Sequence, residues 1–198
     1  MTKTILVTGF IPFANHKENP SEKVATILNG QVIEDYQIHS LILPVSYEKS
    51  AKILIENYLK LKPKIVLSLG LASDRQKISI ERIFINCNHG GFEADIKKFH
   101  EKIINDGPDA YFTNFPLKAF TSTLIPMEIS NSAGTYVCNN ISYQLLHFCS
   151  KNVEKDQFPK IGFVHLPFLN TVTFPYDKNQ VAELTKEFLQ VIIHDLTF

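Results

Sequence analysis

Short apolar bursts that end at glycine or proline alternate along the chain with longer segments whose apolar residues recur every three to four positions. Ile5-Leu6-Val7, stopped by Gly9, is apolar at consecutive positions and reads as a strand buried on both faces. Asn19-Pro20-Ser21-Glu22 then has the chemistry of a helix start. Asn19 suits the N-cap, Pro20 the first helical position and Glu22 the acid of a capping box, with Gly30 placed to end a helix over 20–29. Residues 37–43 predict a second strand. Ser46 opens a helix in which Ala51, Leu54, Ile55, Tyr58 and Leu59 keep the 3.6-residue period until Pro63.

Residues 64–70 repeat the glycine-ended apolar strand, and 78–86 carry another, with Ile83 and Ile85 on one face. From Cys87 to Asp109 the pattern fails, which predicts a long surface excursion of the kind that often carries function. Helices are expected over 117–124 and 135–150, the latter with Val137, Ile141, Leu145 and Phe148 on its apolar face, and a buried strand over 160–166. Asp177-x-x-Gln180 caps a last helix that aligns Val181, Leu184, Phe188, Val191 and Ile192. Strands that alternate with helices and are apolar on both faces imply an α/β sandwich around a mostly parallel sheet. Sites in such sheets form outside the carboxyl ends of strands, which directs attention to the residues just after Val7, Leu69, Ile85 and Val164.

The 198 residues suit one domain, spanning 1–198, without internal repeats. A 44% hydrophobic and 20% charged composition excludes disordered and low-complexity classes. Twenty basic residues balance twenty acidic ones, so the field that nucleic acid or an anionic membrane would select is missing, and neither is an expected partner. Three cysteines make no closed disulfide framework, which points to a reducing, cytoplasmic setting with at least one free thiol. The apolar burst before Gly9 is too short for a signal peptide, and no run approaches the ~20 residues that span a bilayer.

Asn131-Ser-Ala-Gly-Thr-Tyr-Val-Cys138 puts a thiol in the first turn of a helix, where unsatisfied N–H groups and the dipole stabilise a thiolate and can hold an oxyanion. The same position equally suits a small buried hydrophobe. His165 ends the buried strand 160–166, as a general base would, or as a structural histidine would. Glu81, an acid inside an apolar strand, either orients His165, pairs with Arg82 or lies on an exposed strand face. Phe10, Pro12 and Phe13 follow the first strand and serve either as pocket walls for a neutral ligand or as core. Cys87, His89 and His100 match no zinc spacing and no phosphate or dinucleotide loop is present, so no metal and no cofactor is expected.

Taken together, these segments resemble the pyroglutamyl peptidase I family of cysteine exopeptidases over nearly the whole chain. The carriers are Thr8-Gly9-Phe10 with Pro12-Phe13, Asn19-Pro20-Ser21, Leu69-Gly70-Leu71-Ala72 with Arg75, Glu81-Arg82 with Ile85-Asn86, Ser130 to Asn139, and Gly162 to Pro167. The resemblance implies a three-layer α/β/α sandwich and a catalytic triad of Cys138, His165 and Glu81. It also implies removal of N-terminal 5-oxoprolyl residues from peptides without a metal, and assembly into homodimers or homotetramers. Phe10, Phe13, Leu71, Asn19 and Phe92 fall at substrate-binding positions, with Phe10 and Phe13 flanking the lactam ring. The chain departs from the family at 87–93, where Gly91 replaces an arginine near the site. That departure keeps two alternatives open: a relative that binds pyroglutamyl peptides with little turnover, and an amidohydrolase of the same fold with another substrate.

Overall fold

The computed structural model describes residues 2–91, 97–120 and 127–196. In chain order the elements are β1 (Lys3–Phe10), α1 (Pro20–Leu28), β2 (Val32–Ile33), β3 (Tyr36–Leu43), α2 (Ser50–Leu61), β4 (Ile65–Leu71), β5 (Ile78–Glu81) and β6 (Ile83–Ile85). They continue with β7 (Asn88–Gly90), β8 (Lys98–Glu101), β9 (Ala110–Phe112), β10 (Met127–Ser130), α3 (Val137–Asn152), β11 (Lys160–Leu166) and α4 (Lys178–Asp195). A seven-stranded sheet has the order β10-β5-β11-β4-β1-β3-β2. Its neighbours pair in parallel except β5 with β11 and β2 with β3.

Consecutive apolar residues in the strands supply two cores, one on each face. Ile5 and Val7 of β1, Leu67 and Leu69 of β4, and Val164 and Leu166 of β11 join Val24 and Leu28 of α1 and Phe188, Leu189 and Ile192 of α4. On the other face Leu6, Val66, Ile161 and Phe163 join Leu54 and Tyr58 of α2 and Ile141, Leu145 and Cys149 of α3. The result is an α/β/α sandwich. Among the described residues no helix is long and apolar enough to cross a membrane.

Gly9 is required where α1 meets β1: a Cβ there would lie 2.3 Å from the Ser21 carbonyl oxygen. The α1 cap is closed by Asn19, whose Oδ1 accepts from the Ser21 N–H (3.0 Å) and hydroxyl (2.8 Å) in place of the expected box with Glu22. In α4 the expected box is complete, with Asp177 accepting from the Gln180 N–H and Gln180 Oε1 accepting from the Asp177 N–H.

Four expectations are revised. The helix assigned to Ser46 begins at Ser50, because Ser46 and Ser50 bond each other in a turn ahead of it. The strand expected over 78–86 breaks at Arg82, whose N–H bonds Ser130 and whose carbonyl accepts from Thr113; β5 stays in the main sheet, and β6 pairs with β9. The excursion after Cys87 contains the β7–β8 hairpin. Residues 117–120 form a 3-10 turn, the rest of the helix expected there lies outside the described residues, and 127–130 form edge strand β10.

Candidate active site

Alternation places Thr8 and Phe10 of β1, Ser68 and Gly70 of β4, and Phe163 and His165 of β11 on the face that α3 covers. Gly70 is the register partner of His165. A Cβ on Gly70 would meet the Phe163 ring at 2.6 Å and Cys138 Sγ at 3.1 Å, so the missing side chain makes room for the thiol beside the histidine. β5 starts at the carboxyl end of β11 and runs back along it, pairing Ser79 with His165 and Glu81 with Phe163. Glu81 is therefore a diagonal neighbour of His165 one step deeper in the sheet, within reach of a long side chain and closed to solvent.

Glu81 Oε1 lies 2.7 Å from His165 Nδ1 and 2.6 Å from Arg75 Nη1. Arg75 can only donate, and a carboxylate oxygen that accepts from it accepts from the ring as well, so Nδ1 carries the hydrogen of this bond and Nε2 is the ring nitrogen left for proton exchange. Arg82, the alternative partner for Glu81, instead bonds Asn131 Oδ1 at 2.6 Å.

Cys138 is the second residue of α3. No side-chain cap bond closes this helix start, where the first-turn N–H groups point out of the helix. Asn139 clamps this turn to β6 and the residues after it, accepting from the Ile85 N–H (2.8 Å) and donating to the Ile85 (2.9 Å) and Cys87 (3.1 Å) carbonyls. Tyr47 buttresses the preceding turn through its hydroxyl, which donates to the Thr135 carbonyl at 3.2 Å. Burial pushes the Cys138 thiol up to about 12, with the Glu81 charge adding to the rise, while its own backbone N–H and Arg75 pull it down. Desolvation therefore works against the thiolate stabilisation expected of the helix start.

Cys138 and His165 line one cavity of about 250 Å³, walled by Phe10, Phe13, Val45, Leu71, Ala133 and Tyr136, with exposed Asp74 at its rim. Asn19 also borders it, although two of its side-chain bonds close the α1 cap and a third, from Nδ2, reaches the Ile11 carbonyl at 3.1 Å. Phe92 lies outside the described residues. A larger cleft of about 600 Å³, lined by His16, Lys17, Phe168 and Lys178 among others, holds neither the Cys138 thiol nor the His165 imidazole. His89 and His100 stack ring on ring at 4.0 Å, a contact between faces and not between nitrogens aimed at one ion. Among the described residues no three His, Cys, Asp or Glu side chains gather around a common point.

The sequence reading gave no role to Arg75, Val45, Tyr47 or Tyr136. Arg75 carried a signal, since a buried acid needs a cation; the other three are brought in by turns whose course pattern alone does not predict.

Residues 3–193 match the family described as pyroglutamyl peptidase. The pyrrolidone-carboxylate peptidase of Halalkalibacterium halodurans is 40% identical over 172 residues, covering 84% of this chain and 85% of its own. That of Brachyspira hyodysenteriae is 36% identical, covering 95% and 96%. Among solved structures, the pyrrolidone carboxyl peptidase of Thermococcus litoralis superimposes with a TM-score of 0.90 at 30% identity, over 98% of this chain and 95% of that one. The Pyrococcus furiosus enzyme gives 0.89 at 33% identity, over 98% and 99%.

Proposed function

Because the chain belongs to the pyroglutamyl peptidase family, we propose that it is a cysteine exopeptidase that removes N-terminal pyroglutamyl residues from peptides, with Cys138 as nucleophile, His165 as acid and base, and Glu81 as the acid that orients the imidazole. The observation that carries this reading is the Glu81–His165 bond at 2.7 Å beneath a cavity that also exposes Cys138. Nδ1–H faces the carboxylate, so Nε2 takes the thiol proton as the thiolate attacks the acyl carbon. Transfer within the pair leaves its net charge unchanged, so a thiol that resists ionisation alone can still react. The oxyanion meets the N–H groups at the start of α3. The imidazolium returns the proton to the leaving amine, and water then releases 5-oxoproline.

A pyroglutamyl end carries no ammonium, so its pocket needs apolar walls. Phe10, Phe13, Leu71 and Tyr136 supply them, and Asn19 keeps one amide hydrogen uncommitted among the described residues for a lactam oxygen. Phe92 is retained as a substrate contact on the resemblance alone. The match over 3–193 supports treating the chain as one catalytic unit. Assembly into dimers or tetramers and cytoplasmic residence rest on the family resemblance and the cysteine usage.

Incubation with one peptide carrying N-terminal pyroglutamate, and with its counterpart carrying N-terminal proline, tests the assignment by mass spectrometry. The expected result is 5-oxoproline and a peptide shortened by one residue from the first alone. Cleavage of both peptides or of neither contradicts the assignment.

A further inference from the structure

We infer that Arg75 is a positioning residue of the triad, fixing the Glu81 carboxylate against His165 while tying it to the turn that delivers Cys138. The inference rests on the peptidase reading. Arg75 lies in the loop after β4, where Nη1 donates to Glu81 Oε1 at 2.6 Å and Nη2 donates to the Ser132 carbonyl at 2.9 Å. The oxygen that Arg75 holds is the one that accepts from His165 Nδ1–H, while Glu81 Oε2 is buried with no partner among the described residues. A carboxylate held by one imidazole bond alone can pivot about it; a second, charge-assisted bond on the same oxygen removes that freedom. The acid belongs to β5 and the nucleophile to α3, and the Arg75 guanidinium joins the two through Ser132, six residues ahead of Cys138.

The cation also sets the charge seen by the imidazole. Among the described residues, the charged and titratable groups around His165 are Glu81 from β5, Arg75 and the rim residue Asp74 from the loop after β4, Cys138 from α3, and Glu128 of β10 at one remove through the Ser79 hydroxyl. Arg75 is the cation of this group. Its charge opposes that of Glu81 beside the ring and draws the nearby Cys138 thiol down. It also gives the acid a guanidinium partner in a chain that has glycine at position 91.

The test measures kcat and KM on a pyroglutamyl amide in the wild type, Arg75→Gln and Arg75→Lys, together with the rate of Cys138 alkylation by iodoacetamide at fixed pH. In Arg75→Gln loss of positioning should lower kcat by roughly tenfold to a hundredfold while KM stays within about twofold. Alkylation should slow in the same variant, because Arg75 draws the Cys138 thiol down. Arg75→Lys keeps the charge without the fork, so alkylation returns to the wild-type rate and kcat recovers only in part. A wild-type kcat in Arg75→Gln, or a loss confined to KM, overturns the inference. Should that variant not fold, Arg75→Lys decides: lowered kcat with unchanged KM supports the inference, and wild-type kcat overturns it. Alkylation needs no turnover, so an inactive wild type would count against the peptidase reading and leave the alkylation rates to judge Arg75.

Discussion

Cys138 shows how two neighbouring influences on one residue are weighed. The helix start favours its thiolate, but the half-buried thiol is packed against the sheet and loses much of its water, and desolvation, the largest influence, pushes it up to about 12. Alkylation of Cys138 by iodoacetamide in the absence of substrate should therefore be slow at pH 7 and rise steadily to pH 10, as followed by mass spectrometry of the labelled peptide. A rate that levels off below pH 7 would mean a preformed ion pair. The residue types of the site were legible in the sequence, because a thiol in a first helical turn, an imidazole at a strand end and an acid among isoleucines are each out of place without a partner. What pattern could not give is the sign of the Cys138 shift, which depends on how closely Phe163 and Gly70 pack beneath it.

At the scale of elements, apolar periodicity and capping residues marked the helices and the buried strands, and β11 spans the residues expected of it. Legibility failed where backbone bonds from distant segments decide the outcome. Arg82 ends β5 because Ser130 and Thr113, far along the chain, bond its N–H and carbonyl, and β10 has a mixed edge-strand pattern that reads as loop. The close approach of α1 to β1 gives a direct test. Gly9→Ala would drive a methyl group into the Ser21 backbone at 2.3 Å, a clash that backbone atoms relieve only by moving the helix start. The expected loss is about 1–3 kcal/mol in urea unfolding, typical of overpacking. A loss under a few tenths would show that α1 can retreat freely.

Across the whole molecule, several groups are kept protonated by burial. Desolvation raises Tyr58, raises Tyr143 to about 12 and raises Cys149 to about 11, in addition to Cys138. In the unfolded chain thiols ionise near pH 8.5 and phenols near pH 10, so in alkali the unfolded state binds fewer protons than the folded one. Stability contributed by these groups is then complete below about pH 8.5 and falls as pH rises toward 11–12. The urea midpoint should be level between pH 7 and 8 and drop progressively by pH 10.5, and Cys149→Ala should reduce the slope of that drop. A midpoint that stays constant to pH 10.5 would contradict the sign.

The central claim is acyl transfer through the Cys138 thiol, and its most direct measurement is release of a fluorogenic amine from a pyroglutamyl amide under reducing conditions. Wild-type protein should turn over the amide, while Cys138→Ala and protein alkylated at Cys138 should release no amine above the uncatalysed rate. Undiminished amine release by Cys138→Ala, at a rate matching the wild type, would contradict it.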